Sequence, residues 1–168
     1  MQSDEYLILE FQRGSGEAFD ELFARYREPI YGFFRRRLSD PQRAEDLTQE
    51  TFLAVIRSAN RYEPRSLVRT YLYGIALKLV AAERRKAART KTGTAGEPSI
   101  HPNSDASLWI REALQKLDAA EREILMLREY EQLSYNEIAA LLRLPLNTVR
   151  TRLFRARLTL KEQLHATR

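Results

Sequence analysis

Five arginines lie between residues 143 and 157, and they could contact the phosphates and bases of a nucleic acid. The segment "SYNEIAALLRLPLNTVRTRLFR" (134–155) contains two apolar-patterned stretches separated by a Leu-Pro break, with the arginines concentrated in the second. From Arg143 to the C-terminus there are seven Lys/Arg and one Asp/Glu, whereas the rest of the chain is close to neutral. Positive charge concentrated in this way favours a phosphate-backbone partner, and the alternative is a solvated helix face.

A scaffold must expose these arginines on one side, and the pattern predicts a helix-turn-helix. One helix is predicted over 135–142, with Ser134 and Glu137 as a capping box. A turn of about four residues follows, and a second helix is predicted from its N-cap, Asn147, to about Leu164. At about 100° per residue, one narrow sector of that helix is apolar and should face the core. This sector contains Val149, Leu153, Ala156 and Leu160.

The opposite side of the second helix is predicted to face DNA. Its centre carries hydrogen-bonding side chains and its flanks carry arginines, an arrangement suited to base edges in the middle and phosphates at the borders. Arg155 is best placed to read a guanine, because its planar guanidinium can donate two hydrogen bonds to O6 and N7. The candidate contacts are Asn147, Thr148, Arg150, Thr151, Arg152, Phe154, Arg155 and Arg157.

The composition argues against several other functions. The chain has no cysteine, which excludes disulfides, thiolate zinc sites and cysteine nucleophiles. Its two histidines, His101 and His165, do not indicate a metal site, and no Gly-rich phosphate loop or nucleophile motif is found. We therefore expect no enzymatic activity, cofactor or metal. Without a bilayer-length apolar run or a basic n-region in "MQSDEY", a cytoplasmic protein with no membrane segment is expected.

The predicted fold is all-α, with two small helical domains joined by a flexible linker. The N-terminal domain spans 1–87, the linker 88–106 and the C-terminal helix-turn-helix bundle 107–168. The linker is assigned because Thr, Gly, Pro, Ser and Asn replace large apolar residues there.

In the N-terminal domain, apolar spacings of three and four predict a helix over 17–38. A second helix begins with Asp40 as N-cap and Pro41 at its first position, and it ends before Pro64. A third is predicted over 67–88. The predicted core of the second helix is Leu47, Phe52, Val55 and Ile56.

In the C-terminal domain, a first helix is predicted over 107–117, and Asp118 with Glu121 is predicted to form the capping box of the next. The residues of the first helix expected to point inward are Leu108, Trp109, Ala113, Leu114 and Leu117.

Two segments together resemble a known family. "AEDLTQETFLAVI" (44–56) is similar to region two, and "LSYNEIAALLRLPLNTVRTRLFRAR" (133–157) to region four, of the extracytoplasmic-function (ECF) sigma factors of bacterial RNA polymerase. The order of the segments and the polar linker between them also match that family. The resemblance implies that the protein binds core polymerase, opens the promoter −10 element with its N-terminal domain and reads the −35 element with its C-terminal domain.

The resemblance also assigns residues and partners. Asp46, Gln49 and Glu50 match the string that binds the β′ subunit, and the β subunit, promoter DNA and an anti-sigma factor are the other expected partners. The family captures a flipped −10 base in the loop that corresponds here to 60–67. The residues expected to contact that DNA are Arg61, Tyr62, Arg65, Arg69 and Tyr71, with Tyr73 as a further aromatic.

Some positions depart from the family pattern. In region two these are Pro64, Leu67, Tyr71, Lys78 and Ala82. In region four, Arg143 replaces the usual turn glycine, which is acceptable if this residue does not need a positive φ. The main alternative function is a helix-turn-helix repressor or activator whose N-terminal domain dimerises or senses a signal. Such a protein would have no use for the Asp46–Phe52 string or for the tyrosines and arginines of the loop, and would not co-purify with core polymerase.

Overall fold

The computed structural model describes residues 1–90 and 105–166. Within those ranges it contains eight α-helices, one short 3-10 segment and no strand, which confirms the all-α prediction. The chain divides into two compact units, Met1–Glu97 and Pro98–Arg168. Most of the predicted linker, and His101 within it, lies outside the described residues. None of the described helices combines the length and apolar character needed to cross a bilayer.

The N-terminal unit contains four α-helices within residues 1–90. These are α1 (Asp4–Gln12), α2 (Gly16–Arg37), α3 (Pro41–Ser58) and α4 (Val68–Thr90), with the 3-10 segment Ala59–Arg61 after α3. As predicted, the side chain of Asp40 accepts a hydrogen bond from the backbone of Gln42 (2.9 Å) and Pro41 begins α3. Helix α4 continues to Thr90, so the predicted linker boundary at residue 88 falls inside this helix.

Helix α1 was not predicted from the sequence. It begins after Ser3, whose hydroxyl accepts a hydrogen bond from the backbone of Tyr6 (3.1 Å). Leu7 and Ile8 are buried, and α1 packs against α2 and α4. Burial of these two side chains is the main reason that so short a helix is stable, because isolated helices of this length are marginal in water.

The core of this unit is aromatic and includes one buried arginine. Phe33 and Phe34 are fully buried, and the guanidinium of Arg37 lies 3.7 Å from the centre of the Phe33 ring. Arg37, only 1% exposed, donates a hydrogen bond to the carbonyl of Phe33 (3.0 Å). Phe52 is buried as predicted, but Ile56 is 48% exposed, so its assignment to the core was wrong.

The C-terminal unit contains α5 (Asp105–Gln115), α6 (Ala119–Glu129), α7 (Tyr135–Leu142) and α8 (Leu146–Ala166). Ala113, Leu114 and Leu117 are buried, as predicted. Leu108 and Trp109 are 50% and 53% exposed, so their inward orientation was predicted wrongly. The fully buried positions begin only near the C-terminal end of α5, and the earlier apolar side chains Leu108, Trp109 and Ile110 are only partly covered.

Two of the predicted helix caps differ in the structure. Asp118 precedes α6 but its side chain accepts no capping hydrogen bond, so the capping box with Glu121 was wrong. At this junction Arg122 instead donates hydrogen bonds to the carbonyls of Leu114 (2.8 Å) and Leu117 (3.1 Å), which joins α6 to the end of α5. The capping box of Ser134 and Glu137 at the start of α7 is confirmed.

Asn147 is not the N-cap of α8. The helix begins one residue earlier, at Leu146, and the carbonyl of Pro145 accepts hydrogen bonds from Thr148 (3.0 Å) and Val149 (3.2 Å). Asn147 therefore lies in the first helical turn with its side chain exposed, which keeps its amide available to an external partner.

Candidate nucleic-acid interface

The turn between α7 and α8 depends on a left-handed residue. Arg143 has φ 55° and ψ 48°, and the backbone N–H of Leu144 donates to the carbonyl of Ala139 (3.0 Å), closing the end of α7. The condition under which an arginine here would be free of strain, a negative φ, is therefore not met. An L-residue pays a steric penalty of about 1–2 kcal/mol for this conformation, which glycine avoids. The exposed side chain adds a cation beside α8.

Burial along α8 agrees with the predicted helical phasing. Val149, Leu153 and Ala156 are buried, and Leu160 is half-buried. The opposite side is exposed, and Phe154 has 68% of its surface accessible. The Phe154 ring is therefore accessible to a partner, as is Leu158, which is 46% exposed on the same helix.

The polar residues of α8 differ in how they are held. The Thr151 hydroxyl donates to the carbonyl of Asn147 (2.9 Å), so its oxygen remains an acceptor. Arg150 and Arg155 are exposed and make no hydrogen bond or ion pair within the described part of the chain. Arg152 is half-buried. These observations leave Arg150 and Arg155 available for an external partner.

Arg157, by contrast, already has an intramolecular partner. Its Nη2 lies 2.7 Å from Glu129 Oε1 on α6, and its Nη1 lies 3.5 Å from the hydroxyl of Tyr135. The hydrogen bond to Glu129 raises the pKa of the Arg157 guanidinium, and the hydroxyl of Tyr135 contributes in the same direction. A phosphate would have to compete with Glu129, a residue that the sequence pattern did not single out.

A second candidate surface lies along α3. Asp46 and Glu50 are half-buried and Gln49 is exposed, and the three lie within about one turn of α3. Leu53 and Ile56, each 48% exposed, continue this line. The two apolar residues were missed as surface contacts, although Leu53 is three residues after Glu50 and Ile56 is three after Leu53, a spacing that makes each a neighbour of the one before on the helix surface.

Arg43 lies beside the acidic residues of that surface. It donates a hydrogen bond to Glu83 of α4, and this bond raises the pKa of the Arg43 guanidinium. Its Nη1 is also 3.8 Å from Asp46 Oδ2 and 3.7 Å from Glu50 Oε1. The charge of the two carboxylates is therefore partly balanced within the chain.

The segment 59–67, here called the interhelical loop, connects α3 and α4. Arg61 and Arg65 are exposed, whereas Tyr62 is only 7% exposed and donates its hydroxyl hydrogen to the carbonyl of Ser66. The Tyr62 ring packs on that of Tyr71, with centroids 5.5 Å apart. Burial raises the pKa of the Tyr62 phenol. In this conformation the Tyr62 ring supports the loop and does not face outward, and its stacking on a base stays a prediction.

The other candidates near the loop are partly or fully enclosed. Tyr71 is half-buried and its hydroxyl is hydrogen-bonded to that of Ser58. Tyr73 is buried against Phe33, with ring centroids 5.5 Å apart, so it is a core residue. Arg69 is half-buried near the start of α4. Among the predicted −10 contacts, Arg61 and Arg65 are exposed and Arg69 and Tyr71 are partly accessible, so an external ligand can reach these four.

Comparisons with known proteins identify the family. The family model for sigma-70 region 2 matches residues 22–90, and that for sigma-70 region 4 matches residues 107–160. The RNA polymerase sigma-H factor of Pseudomonas aeruginosa is 34% identical, over 93% of this chain and 91% of that protein. The ECF RNA polymerase sigma-E factor of Salmonella typhimurium is 31% identical, over 92% and 91%. The chain belongs to the ECF group of the sigma-70 family.

Solved structures of sigma factors share this fold. CnrH in complex with the cytosolic domain of CnrY superposes with a TM-score of 0.74 at 25% identity, covering 98% of this chain and 99% of CnrH. The sigma factor RpoE of Bartonella quintana, in complex with the anti-sigma factor NepR, gives 0.74 at 26% identity, with coverage of 89% and 98%. In this ECF sigma factor, the region 2 match begins within α2, so α1 lies outside it.

Proposed function

We propose that this ECF sigma factor binds core RNA polymerase and directs promoter-specific initiation, reading the −35 element with α8 and opening the −10 element with its N-terminal unit. The observation that carries the proposal is the one-sided surface of α8. Its buried residues hold the helix, while Arg150, Phe154 and Arg155 face outward. A major-groove helix needs such a face, with base-reading groups in the centre and cations at the flanks.

For polymerase binding we propose the α3 surface, with Asp46, Gln49 and Glu50 facing the β′ subunit. The exposed Leu53 and Ile56 support this proposal, because a protein interface combines an apolar centre with polar neighbours. Arg43 would hold the two carboxylates in place until a basic residue of the partner replaces it.

An apolar groove in the C-terminal unit supports a second protein contact. It has a volume of about 450 Å³ and is lined by Ile110, Leu114, Leu125, Met126, Glu129, Tyr130, Arg157, Leu160, Lys161, Leu164 and His165. Its mainly apolar lining suits a protein segment better than DNA, and we propose that it receives the β subunit. The likeness to RpoE bound to the anti-sigma factor NepR supports the further proposal that an anti-sigma factor competes for the surfaces used by polymerase.

For the −10 element we propose that Arg61, Arg65 and Arg69 contact phosphates and Tyr71 stacks on an extruded base. Stacking on one aromatic ring contributes roughly 1–3 kcal/mol, comparable to the few kcal/mol needed to unstack a base. One ring is therefore insufficient alone, and the arginines beside it are needed to stabilise the opened strand.

Transcription in vitro with core polymerase and this protein, followed by sequencing of the transcripts, tests the proposal directly. Start sites that share −35 and −10 elements are expected, with no specific transcripts from core polymerase alone. DNA binding without any co-purification of core polymerase would favour the helix-turn-helix repressor or activator instead. If the distance between the −35 and −10 elements is the same in all the promoters found, the N-terminal and C-terminal units contact the same promoter at the same time.

A further inference from the structure

Helix α1 holds both ends of the interhelical loop through two side chains. Gln12, its last residue, donates hydrogen bonds from Nε2 to the carbonyls of Ala59 (2.6 Å) and Tyr62 (2.9 Å). Glu5 accepts a hydrogen bond from the backbone N–H of Val68 (3.0 Å), the first residue of α4. One short helix therefore satisfies backbone groups where the chain enters the loop and where it leaves it.

The helix that makes these contacts is itself fixed. Leu7 and Ile8 are buried beneath it, and Asp4 accepts hydrogen bonds from Arg25 (2.9 Å) and from the hydroxyl of Tyr26 on α2. A position held by both apolar burial and charged hydrogen bonds is well suited to act as a support. Gln12 and Glu5 thus present their side chains to the loop from a defined place.

The contacts of Gln12 extend to the surface of the loop through Tyr62. Gln12 donates a hydrogen bond to the Tyr62 carbonyl, and the Tyr62 hydroxyl donates one to the carbonyl of Ser66. The Tyr62 ring packs on that of Tyr71. The exposed Arg65 lies within the part of the loop that this tyrosine spans. A change at Gln12 should therefore alter the presentation of groups that it does not touch.

We infer that Gln12 and Glu5 are positioning residues for −10 recognition, which keep the interhelical loop in its DNA-binding shape before DNA arrives. The inference rests on the proposed function of the loop. A loop that is already ordered loses less conformational entropy on binding than one that must be ordered by the DNA. Both residues precede position 22, where the region 2 match begins, so the support comes from outside the matched segment.

The experiment uses full-length protein in complex with core polymerase and a promoter found by transcript sequencing. Gln12→Ala and Glu5→Ala are compared with Asp4→Asn, a control that weakens the attachment of α1 to α2 without removing a loop contact. Binding of single-stranded −10 oligonucleotides with single-base changes is measured, together with binding of −35 duplex and of core polymerase. DNA opening is followed on duplex promoter and on the same promoter with an unpaired −10 segment.

Gln12→Ala is expected to lower affinity for the preferred −10 strand by about two- to tenfold, the effect of losing one or two ordinary hydrogen bonds, and to reduce base preference. Glu5→Ala should act in the same direction, whereas Glu5→Gln keeps an acceptor for the Val68 N–H and should retain most of the affinity. Binding to −35 duplex and to core polymerase should be unchanged. The loss of open complex caused by each variant should be smaller on the promoter with the unpaired −10 segment than on the duplex promoter.

Three results would overturn the inference in different ways. If Asp4→Asn has the same effect as Gln12→Ala, the effect is general destabilisation of α1 and the positioning role is refuted. If Gln12→Ala and Glu5→Ala leave −10 affinity and preference intact while Tyr71→Ala flattens the preference and Arg61→Ala lowers affinity for all sequences, the inference fails and the proposed function stands. If those loop variants also leave −10 binding intact, the assignment of the loop to DNA fails, and the role of α1 fails with it.

Discussion

Replacing Arg155 and Arg157 separately by alanine tests whether α8 reads DNA in the orientation that its burial indicates. Arg155 lies on the exposed side, away from the buried Leu153 and Ala156, and makes no ion pair within the described residues. Arg157 lies on the flank and is paired with Glu129. Arg155→Ala should therefore change base preference, whereas Arg157→Ala should weaken binding to all sequences alike.

The expected magnitudes follow from these positions. Loss of a bidentate arginine–guanine contact costs about 1–3 kcal/mol at one base pair, so Arg155→Ala should flatten preference at a single −35 position. Arg157 and Glu129 are 47% and 54% exposed, and such a surface pair contributes about 0.2–1 kcal/mol. Since a phosphate must replace Glu129, Arg157→Ala should reduce affinity modestly and lower the salt slope by no more than about one unit.

Binding of each variant to a library of single-base variants of the −35 site, at two or more salt concentrations, measures both effects. Glu129→Gln is the matched control, because it weakens the pair while keeping the arginine, and it should raise affinity for all sequences slightly. A uniform loss with Arg155→Ala, together with altered base preference with Arg157→Ala, would refute the helical phasing. No effect of either variant would refute the assignment of α8 to DNA.

Three further predictions concern polymerase binding and stability. Asp46→Ala combined with Gln49→Ala should weaken binding to core polymerase in a fluorescence titration while −35 DNA binding is retained; unchanged polymerase affinity would favour the repressor interpretation. Arg143→Gly should raise the unfolding free energy of the C-terminal unit by up to about 1 kcal/mol, because glycine adopts a positive φ without the steric penalty; a lower melting temperature would contradict this. Leu153→Ala should lower that free energy by about 2–5 kcal/mol in urea denaturation, because the side chain is fully buried, and a loss below about 1 kcal/mol would contradict the packing of α8.

Helices with apolar residues at spacings of three and four could be predicted from the sequence, and α1 could not. In α1 the apolar residues Tyr6 to Leu9 are consecutive, so no helical face can be recognised from them. Its contacts are also distant along the chain, as with Gln12, which binds carbonyls 47 and 50 residues away. Only the tertiary structure can bring such groups together.

The errors at individual side chains have a related cause. Periodicity identifies the apolar face of a helix but does not show how much of that face a neighbouring element covers, which is why Trp109 and Ile56 were placed in the core and are exposed. Tyr62 shows the opposite case, because an aromatic residue in a loop was predicted to be available for stacking and is buried under its own loop in this structure. The sign of φ at Arg143 was likewise set by the turn geometry and not by the residue type.

The two proposed DNA surfaces, the exposed face of α8 and the interhelical loop, are stabilised by different kinds of contact. This difference explains why the sequence pattern predicts the conformation of α8 better than that of the loop. In α8 the backbone hydrogen bonds are satisfied within the helix, so three buried side chains are enough to orient the exposed ones. The interhelical loop has no continuous internal ladder. Gln12 donates to two of its carbonyls, those of Ala59 and Tyr62, and Glu5 accepts from the first N–H of α4. Substitutions on the exposed face of α8 should consequently act on DNA contacts alone. Substitutions of Gln12 or Glu5 in α1 should change DNA binding indirectly, through the backbone of the loop. Because these residues are far from the loop in sequence, no motif near the loop could have predicted their role.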